Sequence, residues 1–324
     1  MAKRVQCELC PNECVLENNQ VSYCRARMNK NGVLYSRVYG KPCAVQIDPI
    51  EKKPFFHFLP KTSAFSIATA GCVLRCKFCQ NWQISQAGPE DTDTYDLPPD
   101  MVVRQAIFYG CRSISYTYTE PTVFYEYMYD TSVIARKYEI KNTMHTCGYI
   151  KAKPLRMLSK YMDAANVDLK AFTEDFYARI CSGRLKPVLD SLIILKEEGV
   201  WLEITNLVIP TLNDDMKDIR EMCRWILKNL GPDIPIHFSR FFPQYKMKNL
   251  PPTPLETLTE AMKTATDVGL RFVYVGNIRH KGENTFCYKC GKMLIERIGY
   301  HIKQNNVSKG KCSSCSALIP GIWS

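Results

Sequence analysis

Between about residues 62 and 280, short runs of β-branched, aromatic and small apolar residues alternate with longer stretches in which apolar positions recur every three or four residues. The period switches from two to 3.6 and back, which predicts strands separated by amphipathic helices and therefore a parallel sheet. The predicted strands are Ala64–Ala70, Ser113–Tyr118, Asn142–Thr146, Ala165–Leu169, Trp201–Ile209, Ile234–Ser239 and Arg271–Val275. One helix starts near Pro99, with Val102, Val103, Ala106 and Ile107 on one face, and another follows Pro121. A third carries Val188, Leu192 and Leu195 and stops at Gly199; a fourth carries Ile219, Met222, Cys223, Ile226, Leu227 and Leu230 and stops at Gly231. The last opens at Thr253-Pro254-Leu255-Glu256, which reads as a capping box. Six or seven such units are too few to close an eight-stranded barrel. The predicted fold is α/β, a partial, open parallel (β/α)6-type barrel with cysteine-rich metal-binding modules at both ends.

The flanks break this rhythm. Residues 1–60 form a cysteine-rich module with short β-like stretches such as Val33–Val38, 61–280 form the barrel, and 281–324 hold a hairpin-like stretch between two C-x2-C pairs. Residues 85–99 are the longest expected loop. No run of 18 apolar residues is present, and Met1-Ala2-Lys3-Arg4 leads straight into cysteines without an apolar leader. A cytoplasmic protein with no membrane partner is expected.

Sixteen cysteines change the picture. Without a leader, and with most of them two or three residues apart, metal ligation is favoured over disulfides. Eleven fall into three clusters: Cys7/Cys10/Cys14/Cys24, Cys72/Cys76/Cys79 and Cys287/Cys290/Cys312/Cys315. Cys43, Cys111, Cys147, Cys181 and Cys223 read as ordinary thiols, though Cys147 lies near a strand end. The formal charge of +11 falls to roughly +6 once ligand thiolates are counted. That suits an anionic substrate or simple solubility. No basic stripe interleaved with aromatics appears, so nucleic acid is not an expected partner.

Gly71-Cys72-Val73-Leu74-Arg75-Cys76-Lys77-Phe78-Cys79 gives C-x3-C-x2-C just after the first barrel strand. A zinc site wants four protein ligands. Three cysteines on one loop suit a four-iron cluster with one iron open, and loops after parallel strands lie on the catalytic face. The spacing, with an aromatic before the third cysteine, resembles the motif of the radical SAM superfamily. The resemblance implies that Cys72, Cys76 and Cys79 hold a catalytic [4Fe-4S] cluster whose free iron chelates S-adenosylmethionine (SAM). Reductive cleavage would give a 5′-deoxyadenosyl radical that abstracts hydrogen from a substrate.

Further phrases narrow the likeness: Cys79-Gln80-Asn81-Trp82, Tyr116-Thr117-Tyr118-Thr119-Glu120-Pro121, Val167-Asp168-Leu169-Lys170 and Leu207-Val208-Ile209-Pro210-Thr211-Leu212-Asn213-Asp214. They resemble the branch of the pyruvate formate-lyase-activating enzymes, and within it the AmmeMemo-system radical SAM proteins. By that resemblance Thr119 and Glu120 occupy the place of a Gly-Gly-Glu-Pro segment that contacts SAM, with Tyr118 and Thr119 replacing the glycines. Asp168 and Lys170, on one side of a strand, match an Asp-x-Lys motif; alternatively they form an internal ion pair. Asn206 and His237 resemble late-strand SAM contacts, and His237 also reads as a core histidine. The electron donor implied is a ferredoxin or flavodoxin.

Cys287, Cys290, Cys312 and Cys315 read as a zinc ribbon, too short to fold without metal. Cys7, Cys10, Cys14 and Cys24 provide four ligands for zinc, slightly favoured, or for a second iron–sulfur cluster. The related sequences carry a glycine just before the last of these cysteines, where this chain has Tyr23. The substrate is unidentified, and a partner protein is one option. Two other readings remain: a glycyl-radical-enzyme activase, and a non-catalytic electron-transfer or scaffold protein.

Overall fold

A computed structural model of the protein describes residues 3–324, so Met1 and Ala2, where the leader reading starts, lie outside it. One eight-stranded sheet organises the chain: β1 (Ala44–Pro49), β2 (Ser63–Ala68), β3 (Ser113–Tyr116), β4 (Lys141–Thr146), β5 (Ala164–Asp168), β6 (Trp201–Val208), β7 (Ile236–Arg240) and β8 (Val273–Gly276). The spatial order is the chain order. β1 runs antiparallel to β2, and every later pair is parallel. β1 and β8 are the two edges and do not pair, so the barrel is open. Parallel strands are covered on both faces, and β3 is buried at all four positions.

Six helices make the crossovers: α1 (Pro99–Phe108), α2 (Tyr125–Lys137), α3 (Ala152–Ser159), α4 (Leu185–Glu197), α5 (Met216–Leu230) and α6 (Leu255–Val268). α5 shows why the pattern was readable. Asp215 caps its first turn by accepting from Lys217 N, Ile219, Met222, Cys223, Ile226 and Leu230 are buried, and it ends at Gly231. α3 was not foreseen.

Two other expectations change. Ala44–Pro49, counted with the 1–60 module, is a barrel strand, because pairing with β2 compensates for its broken apolar run at Gln46 and Asp48. The capping box at Thr253 does not form. Pro254 is the cap residue, and Thr253 Oγ1 instead donates to Val208 O (2.6 Å) and accepts from Phe241 N (2.8 Å). It joins the ends of β6 and β7 rather than starting a helix.

Both terminal modules dock on the barrel. The first holds two small antiparallel pairs, Val5–Gln6 with Val15–Leu16 and Arg27–Lys30 with Val33–Ser36. From Thr285 the chain builds a three-stranded antiparallel sheet whose central hairpin, Met293–Ile298 with His301–Asn305, separates the two cysteine pairs. Its Leu294, Ile295 and Ile302 pack with Phe56, Phe272 and Tyr274 of the barrel. Arg297 fastens the joint: it donates to Phe56 O (2.9 Å), Glu283 O (3.0 Å) and Thr285 Oγ1 (2.8 Å), with its guanidinium 4.1 Å from the Phe56 ring centre. No helix among the described residues is long and apolar enough to cross a membrane.

Candidate active site

The loop after β2 carries Cys72, Cys76 and Cys79 and is held by its backbone. Gly71 N donates to Ile84 O (2.9 Å), Arg75 N to Cys181 O (2.8 Å) and Lys77 N to Ile180 O (3.0 Å). Arg75 Nη1 also donates to Cys72 O (2.8 Å). At Gly71 the backbone has φ +102°, and a Cβ there would lie 2.3 Å from Cys24 O. Only glycine fits both conditions.

The three cysteines line one cavity of about 760 Å3, within the range that takes a drug-sized ligand. Glu120, Thr119, Asp168, Lys170, His237 and Cys147 share its wall. Glu120 Oε1 accepts from the hydroxyls of Thr122 and Thr146 (2.7 Å each), and its Oε2 from Cys147 N (2.7 Å). Thr119 Oγ1 donates to Thr69 O (2.8 Å), tying its segment to the cysteine loop. Asp168 lies between His145 Nε2 (3.0 Å) and Lys170 Nζ (2.9 Å). Although burial opposes it, the Lys170 charge leads the partners that hold this carboxyl well below the usual range. Lys170 Nζ is also 5.6 Å from the centre of the Phe78 ring, the aromatic that precedes Cys79. The internal ion pair and the cavity wall are thus the same residues.

His237 lies against Phe56 and Tyr274 and hydrogen-bonds the fully buried Glu203 (2.7 Å). Glu203 accepts in turn from Phe56 N (3.0 Å) and His57 N (2.8 Å). Asn206 departs from expectation. Strand alternation directs Thr205 and Leu207 into the cavity, while Asn206 faces the helix layer beside Phe172 and Met222. Its Nδ2 donates to Leu169 O (2.7 Å), and its buried Oδ1 has no partner. Asn206 therefore supports the Asp168–Lys170 turn from behind and does not line the cavity.

A polar cluster that sequence reading missed forms another part of the wall. Tyr118 adopts a left-handed φ of +62° at the position the resembling enzymes fill with glycine. Its hydroxyl donates to Asp48, and Asn81 Nδ2 donates to its carbonyl (2.7 Å). Lys53 sits 4.1 Å from the Tyr118 ring centre and pairs with Asp48 at 2.5 Å. Burial brings the Lys53 ammonium down to about 8, with Asp48 partly opposing. These residues come from β1 and the segment after it, and from the loops after β2 and β3, and no spacing in the chain announced them. Beyond them, Arg279, Glu283, Gly299 and Tyr300 complete the wall, so the C-terminal hairpin turn borders the same space as the cysteines.

All sixteen cysteines are free thiols. Among the described residues, the four C-terminal Sγ atoms are the set that all lie within 4.8 Å of one another. Cys287–Cys315 and Cys290–Cys312 are 3.6 and 3.8 Å apart. A tetrahedral ion with bonds of about 2.3 Å spaces its thiolates about 3.8 Å apart. The Cys72, Cys76 and Cys79 thiols do not draw that close. Three soft donors on one wall, spread wider than a single ion requires, fit a multi-iron cluster. Burial raises the Cys72 and Cys79 thiols, so a positive centre is needed to hold them as thiolates.

The family model for the radical SAM superfamily matches residues 66–226. An uncharacterized protein of Methanocaldococcus jannaschii is 46% identical over 319 residues, spanning 98% of this chain and 95% of that one. The pyruvate formate-lyase-activating enzyme of Clostridium pasteurianum is 25% identical over 164 residues, 49% of this chain and 67% of the enzyme. In fold, Streptococcus suis SuiB bound to S-adenosylmethionine superposes with a TM-score of 0.53 at 17% identity, covering 74% of this chain and 56% of SuiB. The family implies a [4Fe-4S] cluster and SAM, and the three-thiol wall is a fitting donor set for them. The chain belongs to the radical SAM superfamily, in the branch that resembles the pyruvate formate-lyase-activating enzymes, and is an enzyme of radical SAM type.

Proposed function

We propose that Cys72, Cys76 and Cys79 hold the [4Fe-4S] cluster and that the protein cleaves SAM reductively to abstract hydrogen from a substrate bound in the same cavity. When bound, the cluster supplies the electron that splits the sulfonium of SAM into methionine and a 5′-deoxyadenosyl radical. The observation that carries this reading is the convergence of three thiols and the His145–Asp168–Lys170 chain on one cavity wall. Asp168 and Lys170 present opposite charges, matching the ammonium and carboxylate ends of an amino acid. Thr119 ties its loop to the end of β2, where the cysteine loop begins, and Glu120 ties it to the end of β4. Lys53 and Arg279 supply hydrogen-bond donors on the wall away from the cysteines, and Tyr118, donating to Asp48, holds Lys53 in place. The likeness in phrasing to the AmmeMemo-system proteins supports placing the chain in that subgroup. The C-terminal four-cysteine site is read as structural zinc, from its tetrahedral spacing.

Anaerobic incubation with SAM and a strong one-electron donor should yield 5′-deoxyadenosine, and Cys76→Ala should reduce that yield at least 100-fold. No product in the wild type, or undiminished product in the variant, rejects the reading. Deuterium transfer from labelled candidates into 5′-deoxyadenosine then identifies the substrate. A second reading, activation of a partner protein as the name of the Clostridium pasteurianum enzyme suggests, requires a peptide segment to enter past Tyr300. Transfer from a labelled polypeptide rather than a small molecule would favour it.

A further inference from the structure

The two terminal modules each bring together four cysteines, but not in the same way. The C-terminal four all lie within 4.8 Å of one another; the N-terminal four do not. Cys7, Cys10, Cys14 and Cys24 instead surround a common pocket whose other lining is Leu9, Val73 and Val123 together with the polar Asn12, Ser22, Arg27 and Thr122. Cys7, Cys10 and Cys24 are buried, and Cys14 is half-buried. The strand pair Val5–Gln6 with Val15–Leu16 and the bond Cys7 N to Cys14 O (2.9 Å) hold the first three at this wider spacing. The last is fixed by the turn Ser22–Arg27, where Arg25 takes the left-handed φ of +65°. Tyr23 is therefore spared the conformation a glycine would serve, and the Arg75 guanidinium lies 4.1 Å from its ring centre. A single tetrahedral ion draws four thiolates to about 3.8 Å. A cubane distributes them over four iron atoms, and four soft donors suit it, with Arg27 on the same wall to offset part of the thiolate charge.

Position supplies the second argument. The carbonyl of Cys24 abuts Gly71, the residue before Cys72. Asn12 Nδ2 donates to Val73 O (2.8 Å), and Val73 lines the N-terminal thiol pocket while its neighbours Cys72 and Leu74 line the catalytic cavity. The two cysteine sets therefore sit on opposite faces of one loop. A structural zinc gains nothing from that proximity. Electron tunnelling falls off exponentially with distance and gains a great deal.

We propose that Cys7, Cys10, Cys14 and Cys24 ligate a second iron–sulfur cluster, of [4Fe-4S] type, and that it relays electrons from a low-potential one-electron carrier to the Cys72–Cys79 loop. The relay moves one electron in and one out. The carrier is oxidised by one electron, the N-terminal cluster is reduced and then reoxidised, and no bond or proton moves. The relay role rests on the reading of Cys72, Cys76 and Cys79 as the SAM-cleaving site; the metal assignment does not.

The test separates the two. A Cys72→Ala, Cys76→Ala, Cys79→Ala triple variant, reconstituted anaerobically, should retain about four irons per chain with iron–sulfur absorption and a cubane Mössbauer signature. Two zincs and no iron in that variant overturn the assignment. For the relay, Cys14→Ser is compared with the wild type using reduced ferredoxin and, separately, titanium(III) citrate. The ferredoxin-driven yield of 5′-deoxyadenosine should fall at least tenfold relative to the titanium-driven yield. An equal loss with both reductants overturns the relay. Failure of the wild type with titanium(III) would reject SAM cleavage itself and leave the metal count readable.

Discussion

The amino- and carboxy-terminal modules use the same four-thiol inventory for opposite ends of the site. The C-terminal one closes its thiols to tetrahedral spacing and places a hairpin turn on the wall of the cavity. The N-terminal one keeps its thiols apart and backs onto the loop of Cys72, Cys76 and Cys79. Ligand count alone does not assign a metal; the separation at which the backbone fixes the ligands does. It also matters which wall of the barrel each module leans on.

The comparison breaks most easily at the C-terminus. Cys290→Ala should abolish metal binding there and, because a structural zinc contributes about 10 kcal/mol or more to so small a module, unfold residues 285–319. Zinc content should drop by one per chain and hydrogen exchange in that segment should become fast. Iron content should not change. Protected exchange without metal would show that packing on Phe56, Phe272 and Tyr274 suffices.

Arg297→Ala tests the joint without touching a ligand. It leaves Phe56 O and Thr285 Oγ1 without this buried donor and removes the ring contact, so a loss of about 3 kcal/mol is expected. Denaturant unfolding followed by exchange of residues 293–305 measures it. Retention of zinc with faster exchange is the expected pattern.

At the other module, Gly71→Ala drives a Cβ into Cys24 O and forces a left-handed alanine. A cost of about 2 kcal/mol or more is expected, with accelerated exchange at Tyr23–Arg27. Equal effects on the C-terminal module would mean that the two modules are not independent.

The smallest effect concerns protons at the substrate end. Lys53 titrates near 8 because burial outweighs Asp48. Its folded value lies below that of a free lysine, so the buried ammonium opposes folding below pH 8. That cost is relieved as pH climbs toward about 10.4. Asp48→Asn removes the partner that raises Lys53, so its midpoint should fall by about one unit. The pH profile of reductive methylation, read at the Lys53 peptide, checks it; an upward shift would assign the control elsewhere.

Much of this was legible before any fold was seen. The seven parallel strands and five of the six helices follow from period and punctuation, because each element buries a face set by its own repeat. The grouping of Cys72, Cys76 and Cys79 follows from spacing, since they share one loop. The edge strand β1 was hidden because it is stabilised by its neighbour rather than by its own pattern. That Asn206 faces the helix layer rather than the cavity was hidden because a one-residue step along a strand reverses the face.

The chain by itself determined its strand–helix rhythm, its three cysteine clusters and its kinship, all properties of residues close together in sequence. Only the tertiary structure decided that Lys53 and Tyr118 share a wall and meet at Asp48, that Glu203 engages His237, and how far apart each set of thiols stands. Those are relations between segments, and their distances are set by packing that no local pattern encodes.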